Sequence, residues 1–268
     1  MDILALMAKF DLNATIIENI CLGGKYYRMR ALAPQIATIA RAGQFCMIRP
    51  EYSGESLMRR PFSIAAVRDG KILEFAYTAI GRGTRLLSRQ EAGANLLCLG
   101  PLGNSFPIVE GARAVVVAGG IGIAPFPFLN RVLNAHRIFP FTYYGARSAS
   151  ELIYLEELNQ LSEKMVIATD DGSSGFHGFI TQILERDLEK DASGVVFYVC
   201  GPHPMMKRVK EIAERFHLPA YLSMEEIMGC GVGICIGCPI PGFTPTGEIT
   251  QYLCCQDGPI FPSSLVSL

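Results

Sequence analysis

MGCGVGICIGC (residues 228–238) is the stretch around which the rest of the chain is organised. It places Cys230, Cys235 and Cys238 in the spacing C-x4-C-x2-C, and Cys254 and Cys255 follow near the end of the chain. Three clustered cysteines and one distant cysteine is the plant-type ligand spacing of a 2Fe–2S cluster. The interleaved glycines favour the same interpretation, because they allow tight turns and let backbone N–H groups approach the cluster sulfurs.

Two other uses of these cysteines stay open. Structural zinc is usually held by two close pairs of ligands, which three clustered thiols and a distant one match less well. Disulfides are the third option, but the remaining thiols argue for a reducing cytoplasm. They stand singly in apolar runs, as buried small hydrophobes usually do, at Cys21, Cys46, Cys98 and Cys200. Cys254 and Cys255 compete for the fourth ligand position.

Length and composition bound the function. The 268 residues suffice for two domains and a small appendage, and half of them are hydrophobic. A formal charge of −1 gives no basic face for nucleic acid. The positive mean hydropathy fits a protein that covers surface with cofactors and a partner. The opening MDILALMAKF has no basic n-region or cleavage site, and no apolar run reaches 18 residues, so neither a signal peptide nor a transmembrane helix is expected.

The first third of the chain alternates short apolar strands with turns. Asp69-Gly70 between two apolar runs predicts a hairpin, and a helix is expected to begin near Thr84. Several short strands at this spacing predict a small antiparallel β-barrel. The predicted strands cover residues 13–20, 26–31, 44–48, 62–67 and 72–78.

Two anion-binding devices occur in this region. Arg59-Arg60 precedes Pro61, and a guanidinium suits a pyrophosphate because it is always charged and binds oxygens bidentately. Gly81-Arg82-Gly83-Thr84 stands where the helix begins, and a helix N-terminus attracts anions. Singly, each has an ordinary explanation, as a solvated pair or as a turn with an N-cap. Together they point to one diphosphate cofactor.

These residues resemble the ferredoxin-reductase superfamily of flavoproteins. Arg60-Pro61-Phe62-Ser63 is similar to its Arg-x-(Tyr/Phe)-Ser motif, and GPLGNSF at 100–106 is similar to the strand end that closes its flavin domain. The resemblance implies a flavin, with Arg60 on the pyrophosphate and Phe62 and Ser63 beside the isoalloxazine. Thr78 stands where the superfamily often has a basic residue, which puts a charge contact there in question. The implied flavin-site residues are Arg60, Pro61, Phe62, Ser63, Ala76, Tyr77, Thr78, Gly83 and Thr84.

From residue 112 to 223 the pattern changes to alternating strands and helices. Such alternation predicts a parallel sheet with helices on both faces, with ligands at the carboxyl ends of the strands. The predicted strands are 113–118, 141–144, 165–168, 195–200 and 220–222. The predicted helices run near 124–135, 150–161, 178–188 and 204–216.

Two strand ends in this region carry nucleotide-binding features. Gly119-Gly120-Ile121-Gly122 could be an ordinary tight loop or a pyrophosphate site, and it lacks the G-x-G-x-x-G pattern. Its continuation to Ala124-Pro125, and Cys200-Gly201-Pro202 followed by methionines, resemble the nicotinamide-binding half of the same superfamily. The resemblance implies Gly119, Gly120 and Gly122 at the pyrophosphate and Cys200, Gly201 and Pro202 near the nicotinamide.

The choice between NAD and NADP stays open at this point, with NAD preferred. Arg147 and Ser148 could bind a 2′-phosphate or cap a helix beginning at Ser150. Cys200 could equally be a buried strand-end thiol. The four histidines have no ligand spacing and are expected on the surface or in loops, at His136, His177, His203 and His217.

The last 45 residues resemble one family within the superfamily, the electron-transfer subunits of dihydroorotate dehydrogenase B. SMEEIMGCGVGICIGC at 223–238 and CQDGPIF at 255–261 carry the resemblance. The resemblance implies that Cys230, Cys235, Cys238 and Cys255, rather than Cys254, bind the metal. Two prolines after Cys238 depart from the family pattern.

The prediction is therefore a flavin and 2Fe–2S electron-transfer subunit with three parts. These are a FAD-binding barrel at 1–110, an NAD-binding α/β domain at 111–223 and a 2Fe–2S subdomain at 224–268. The family implies electron transfer between NAD and a catalytic, FMN-containing dihydroorotate dehydrogenase subunit in a cytoplasmic heterotetramer of pyrimidine biosynthesis. The alternatives are a subunit of a ferredoxin:NADP reductase, hydrogenase or sulfide dehydrogenase complex, and a non-redox zinc module. No catalytic side chain is named, since hydride transfer requires no acid or base.

Overall fold

The chain is described here by a computed structural model that covers residues 9–51 and 58–268. An antiparallel barrel comes first, a predominantly parallel sheet flanked by helices follows, and a C-terminal segment adds a small hairpin and one edge strand. The predicted fold class is thereby confirmed. The opening residues 1–8, on which the signal-peptide expectation rests, lie outside the described ranges.

The barrel is closed by six strands in the order β1-β2-β5-β4-β3-β6. The strands are β1 (Phe10–Gly23), β2 (Tyr26–Leu32), β3 (Phe45–Pro50), β4 (Arg60–Arg68), β5 (Ile72–Thr78) and β6 (Asn95–Leu102), with helices α1 (Pro34–Ile39) and α2 (Arg82–Leu87) between them. Alternate side chains such as Ile64, Phe75 and Leu96 fill the interior and are fully buried. The Asp69-Gly70 hairpin is confirmed, because both residues have positive φ and Arg68 pairs with Ile72.

The central sheet contains seven strands, of which the edge strand β15 (Ile260–Pro262) alone is antiparallel to its neighbour. Its parallel strands are β7 (Arg113–Gly119), β8 (Phe141–Ala146), β9 (Lys164–Thr169), β10 (Phe176–His177), β11 (Val195–Cys200) and β12 (Ala220–Ser223). Its helices are α3 (Phe126–Ala135), α4 (Leu155–Leu161), α5 (Ile180–Leu188) and α6 (His203–Arg215). β7 after Arg113 and all of β11 are apolar because helices cover both faces of the sheet.

The predicted helix at 150–161 began too early. Residues Ala149–Glu151 form a single 3-10 turn, and Tyr154 has a left-handed φ of 59° immediately before α4. Contacts made by Tyr154 with the barrel hold this conformation, as described below.

The C-terminal segment has little regular structure. Residues 224–238 form an irregular loop, followed by a hairpin of β13 (Pro239–Phe243) and β14 (Ile249–Leu253) and by β15 (Ile260–Pro262). β15 pairs with β12 at the edge of the central sheet, so the segment is fixed to the α/β domain at its far end.

Within the described ranges, no helix has the length and apolar character needed to cross a bilayer. All nine cysteines fall inside these ranges, and each is a free thiol.

Candidate functional site

A cavity of 1090 Å³ lies at the carboxyl ends of the parallel strands. This is the edge at which such sheets bind nucleotides. The six residues predicted for the nicotinamide nucleotide all line it: Gly119, Gly120, Gly122, Cys200, Gly201 and Pro202. The structure therefore brings both predicted strand ends to one site.

The glycines of the loop after β7 have two different surroundings. A Cβ on Gly122 would lie 2.4 Å from the carbonyl oxygen of Cys200, and one on Gly119 would lie 2.6 Å from Pro202 Cδ. Gly122 therefore allows the loop after β7 to pack against the backbone after β11, and Gly119 leaves room for the side chains of Pro202 and Met205. Gly120 has a φ of +53° and open space around its Cβ position, so only its backbone faces free volume.

The N-termini of two helices give this cavity an electric field that favours anions. The first turn of α6 and the first turn of α5 both contribute lining residues. Unpaired N–H groups at a helix N-terminus stabilise negative charge, which suits a diphosphate.

The two charges that bear on NAD or NADP are of opposite sign. Arg147 and Asp170 both line the cavity, the first after β8 and the second after β9. Ser148 instead bonds to Ser150 at 2.8 Å, and neither of them caps α4, which begins at Leu155. An arginine favours a 2′-phosphate, whereas an aspartate at the same edge repels it.

A second cavity, of 620 Å³, lies between the barrel, the α/β domain and the C-terminal loop. Eight of the nine residues predicted for the flavin line it: Arg60, Pro61, Phe62, Ser63, Ala76, Tyr77, Thr78 and Thr84. The ninth, Gly83, lies directly beneath Arg60, because a Cβ there would be 2.1 Å from Arg60 Cζ. Both predicted anion-binding devices are therefore in contact.

Thr84 also caps the start of α2, which is the ordinary explanation that the sequence offered for this stretch. Its Oγ1 accepts hydrogen bonds from the N–H groups of Ile80 (3.1 Å) and Gly81 (3.0 Å) at the start of α2. The short helix is thus fixed by Thr84, with Gly83 and the guanidinium of Arg60 held against it.

Tyr77 contributes to the barrel more than to the cavity. Its ring is buried, stacks on Tyr27 at 5.5 Å and meets Phe62 edge-on at 5.6 Å. Its hydroxyl donates to Asn19 Oδ1 at 2.9 Å, and burial raises the pKa of the phenol, so it stays protonated at neutral pH. Ala76 and Thr78, which point the other way, face the α/β domain.

The two cavities share one wall. Thr78, Gly122 and Cys200 line both of them, as do Ser223 and Glu225. Burial, together with the negative charge of Glu225, raises the pKa of the Cys200 thiol to about 12, against an opposing hydrogen bond from Ser223. Cys200 is therefore a neutral thiol at the junction and not a thiolate nucleophile.

Sequence reasoning missed three charged residues at these cavities. Burial, followed by the nearby charge of Glu226, raises the pKa of Glu225. Lys25 of the barrel binds Glu151 of the α/β domain at 3.1 Å across the mouth of the larger cavity. The Glu225-Glu226 pair beside the cysteine motif could have signalled the first, but no local pattern marks Lys25 or Glu151.

The C-terminal loop brings the predicted cluster cysteines together. Cys238 Sγ lies 3.4 Å from Cys255 Sγ, which also accepts the N–H of Gly233 at 3.2 Å. Cys230 Sγ accepts the N–H groups of Val232 and Cys235, each at 3.4 Å. Burial opposes ionisation of Cys230, but these N–H donors outweigh it and lower its pKa to about 6.

Cys254 and Cys255 face different surroundings. Cys254 is fully buried, and its Sγ donates to the carbonyl oxygen of Met224 at 3.5 Å. Burial raises its pKa well above the usual range of a thiol. Cys255, by contrast, faces Cys238 and the glycine loop.

The donor set consists of four thiols, with backbone N–H groups directed at two of them. Cys238 and Cys255 form a close pair, Gly233 donates to Cys255, and Val232 and Cys235 donate to Cys230. Over residues 9–51 and 58–268, no three Cys, His, Asp or Glu side chains are grouped around one point. Backbone N–H groups directed at sulfur are the environment in which cluster thiolates are found.

The smaller cavity reaches this loop directly. Met228 and Gly229 line it, and a Cβ on Gly229 would lie 3.3 Å from Cys235 Sγ. The cavity wall and the thiols are therefore adjacent, with a single glycine backbone between them.

Comparison with solved structures gives the class of protein. The structure of an NADH-dependent reduced ferredoxin-NADP oxidoreductase, titled for its insight into flavin-based electron bifurcation, superposes with a TM-score of 0.84 at 27% identity, covering 95% of this chain and 89% of that one. A ferredoxin-NADP+ reductase from Neisseria gonorrhoeae with bound FAD and NADP superposes with a TM-score of 0.65 at 20% identity, covering 76% and 91%. The barrel and parallel sheet are therefore those of the ferredoxin-reductase fold.

Comparison of sequences gives the family. The profile of the iron-sulfur cluster binding domain of dihydroorotate dehydrogenase B matches residues 225–267, and that of the oxidoreductase NAD-binding domain matches 116–211. The chain is 37% identical to the electron transfer subunit of dihydroorotate dehydrogenase B (NAD(+)) from Desulforamulus reducens, over 94% of this chain and 96% of that one. It is 40% identical to the corresponding subunit from Lysinibacillus sphaericus, over 84% and 87%. The chain belongs to this family of dihydroorotate dehydrogenase B electron transfer subunits, and its cofactors are FAD, a 2Fe–2S cluster and NAD.

Proposed function

We propose that this chain carries electrons between a catalytic dihydroorotate dehydrogenase subunit and NAD in pyrimidine biosynthesis. The observation that carries the proposal is the continuity of the site. The nucleotide cavity shares a wall with the flavin cavity, and the flavin cavity ends at Gly229 beside the thiol of Cys235. A nicotinamide exchanges two electrons as a hydride, a cluster exchanges one at a time, and a flavin between them can do both.

The roles of individual residues follow from their positions. We assign Arg60, with Gly83 and Thr84, to the flavin pyrophosphate, and Pro61, Phe62, Ser63 and residues 76–78 to the walls around the ring. Gly119, Gly120 and Gly122 form the loop against which the nucleotide diphosphate rests, and Cys200-Gly201-Pro202 forms the wall near the nicotinamide. We assign the neutral Cys200 thiol and Glu225 to the wall that the two cavities share.

Cys230, Cys235, Cys238 and Cys255 are the proposed ligands of the 2Fe–2S cluster. Two observations support Cys255 over Cys254: its contact with Cys238 and its acceptance of the Gly233 N–H. Cys254 is directed toward Met224 and fills the core.

The surface around the cluster loop suits a protein partner. Ile227, Ile234 and Ile236 are 88%, 83% and 71% exposed, and the last two flank the exposed Cys235. Isolated exposed apolar residues are common, but three beside a redox centre mark a contact surface. We propose that the catalytic subunit, with its own FMN, docks here in a heterotetramer of two copies of each chain. The free thiols favour a cytoplasmic setting for this complex.

The deciding experiment is co-expression with the catalytic dihydroorotate dehydrogenase subunit, followed by co-purification. We expect a complex with equimolar chains, FAD, two iron atoms and two acid-labile sulfides per copy of this chain, and reduction of NAD by dihydroorotate. Cys235→Ser should abolish that activity while FAD is retained. A complex with full activity but no iron would overturn the proposal.

A second function deserves a test because of one comparison. The superposition at a TM-score of 0.84 is with a ferredoxin-NADP oxidoreductase. If this chain co-purified with a ferredoxin-oxidising subunit, and dihydroorotate failed to reduce NAD, the partner assignment would change while the cofactor assignment stayed.

A further inference from the structure

Glu74 is a fully buried carboxylate, and it is not among the described residues that line either cavity. It lies on β5, whose side chains alternate between the barrel interior and the α/β domain. Ala76 and Thr78 share its face; Ala76 lines the smaller cavity, and Thr78 lines both cavities. Whatever fixes Glu74 therefore also fixes the strand whose end lines both cavities.

Three donors converge on Glu74 from both domains. Arg30 Nε lies 2.6 Å from Oε2, and Arg68 bonds to both oxygens at 3.2 and 3.3 Å. The third donor is the hydroxyl of Tyr154, 3.0 Å from Oε1, which comes from the α/β domain. Burial opposes ionisation of Glu74, but the bonds from Arg68 and Arg30 outweigh it and hold its pKa below the usual range.

The same network continues across the domain boundary. Arg68 Nη2 lies 2.8 and 2.9 Å from the two carboxylate oxygens of Glu157 on α4. Arg131 on α3 binds Glu157 at 2.8 Å. The barrel is thus attached to two helices of the α/β domain through one continuous chain of charged side chains.

Such a network contributes more to geometry than to stability. Desolvation cancels much of the attraction within a buried ion pair, so apolar packing would stabilise the junction at least as well. Directional bonds from three sides, however, allow only one relative placement of β5 and α4. Tyr154 has a left-handed φ, which is unusual for a bulky residue. This conformation places its hydroxyl where it can donate a hydrogen bond to Glu74.

We propose that Glu74 is a positioning residue, which acts with Tyr154 to set the distance between the flavin and nicotinamide sites. The inference rests on the proposed function and adds to it the element that aligns the two domains. In the aligned state a hydride, one proton with two electrons, passes from reduced nicotinamide to flavin or back. A misplacement of about 1 Å slows such a transfer by up to about 100-fold.

The test compares Tyr154→Phe and Glu74→Gln with Asp187→Asn in the purified chain loaded with FAD and cluster. Asp187 is the matched control, because it also binds one tyrosine hydroxyl and two lysines, but entirely within the α/β domain. The readouts are the stopped-flow rate of flavin reduction by NADH and the long-wavelength charge-transfer absorbance of reduced flavin with NAD. Hydrogen exchange of the amides of residues 76–78, measured without nucleotide, reports on the strand itself.

We expect Tyr154→Phe and Glu74→Gln to slow flavin reduction about 10-fold or more, to weaken the charge-transfer band and to speed exchange at 76–78. FAD and iron content should equal those of the parent, and Asp187→Asn should match the parent in every readout. Glu74→Asp should recover part of the rate. If Tyr154→Phe keeps the parental rate, band and exchange, the inference is wrong even if Glu74→Gln fails to fold. Failure of the parent chain itself to be reduced by NADH would instead contradict the proposed function.

Discussion

The junction of the barrel with the α/β domain and the C-terminal segment hold their ligands in opposite ways. At the junction, Phe106 from the end of the barrel packs on Phe126 at 5.9 Å and on Tyr198 at 5.6 Å, and the Glu74 network separately links the barrel to α3 and α4. The cavities there are formed by packing alone. The loop at 224–238 has no regular structure; Met224, Met228 and Cys238 join the apolar core, while the thiol of Cys230 receives backbone N–H groups. A preformed site needs no ligand to exist, whereas a loop of this kind depends on its metal centre.

The largest effect is expected when each of the two neighbouring cysteines is replaced in turn by serine. Cys255→Ser removes the sulfur that faces Cys238, so we expect complete loss of iron with FAD retained at the junction. Cys254→Ser is the matched control, and it should keep its iron and lose about 1 kcal/mol of stability from a buried hydroxyl. Iron, acid-labile sulfide and FAD analysis checks both, and loss of iron only in the Cys254 variant would reverse the ligand assignment.

The next effect tests the junction alone. Gly122→Ala places a Cβ 2.4 Å from the backbone oxygen of Cys200, which cannot rotate away as a flexible side chain could. The loops after β7 and β11 should separate, and flavin reduction by NADH should slow by about 100-fold with iron and FAD unchanged. Gly194→Ala has a positive φ of +64° in open space and serves as the control. Equal rates for the two variants would show that the close packing of these loops is unimportant.

A smaller effect is expected where the cluster loop meets the barrel. Gly231 has a φ of +76°, and a Cβ there would lie 2.5 Å from the buried Met47. Gly231→Ala should therefore lose about 2 kcal/mol or more, combining backbone strain with a clash, and release iron to a chelator faster. Gly247→Ala, with a φ of +88° and no neighbour, should show only the strain, about 1 kcal/mol. Urea unfolding and the rate of iron release compare the two variants. Identical results would show that the close contact between Gly231 and Met47 does not matter.

The smallest expected effect is the loss, at low pH, of the stability that Glu74 contributes. Arg30, Arg68 and Tyr154 face Glu74, and Glu157 lies beyond Arg68; burial opposes ionisation, but the two arginines outweigh it, so the folded pKa of Glu74 lies below the ordinary 4.5. A lowered folded pKa gives stability that is fully present above 4.5 and is lost as pH falls through the folded value. The difference in urea midpoint between the parent and Glu74→Gln should therefore be constant from pH 7 to pH 5 and shrink below that. A difference that grows as the pH falls would contradict the sign of this shift.

Most of the fold could be predicted from local pattern. Two-residue alternation located five of the six barrel strands, and apolar runs located the main parallel strands of the sheet. The short helix α1 was missed, since six residues give too few periods to detect. The error at 150–161 has a different cause, because Tyr154 is held in a left-handed conformation by a barrel carboxylate 80 residues away. Such a contact has no local signature.

The candidate site shows the same contrast between features set by local sequence and features set by contacts between the domains. Motifs such as Arg60-Pro61-Phe62-Ser63 and Cys200-Gly201-Pro202 brought the predicted residues to the two cavities, because each motif is fixed by its own strand end. Lys25, Glu151 and Glu74 act across the domain boundary, so their positions depend on packing that sequence spacing does not encode. Tyr77 was expected to line the site, and its ring proved to belong mainly to the barrel core.

Asn104, just beyond the last barrel strand, has a consequence for the order of assembly. It donates to the carbonyl oxygens of Asp257 and Ile260 and accepts the N–H of Ile260. These partners leave the ribosome about 150 residues later, since the protein is made from its N-terminus. The barrel strands are therefore synthesised well before the stretch around Cys255, which docks only when synthesis is nearly finished. The wall that the C-terminal segment gives to the smaller cavity, and the cysteines beside it, are accordingly the last parts of the site to be completed.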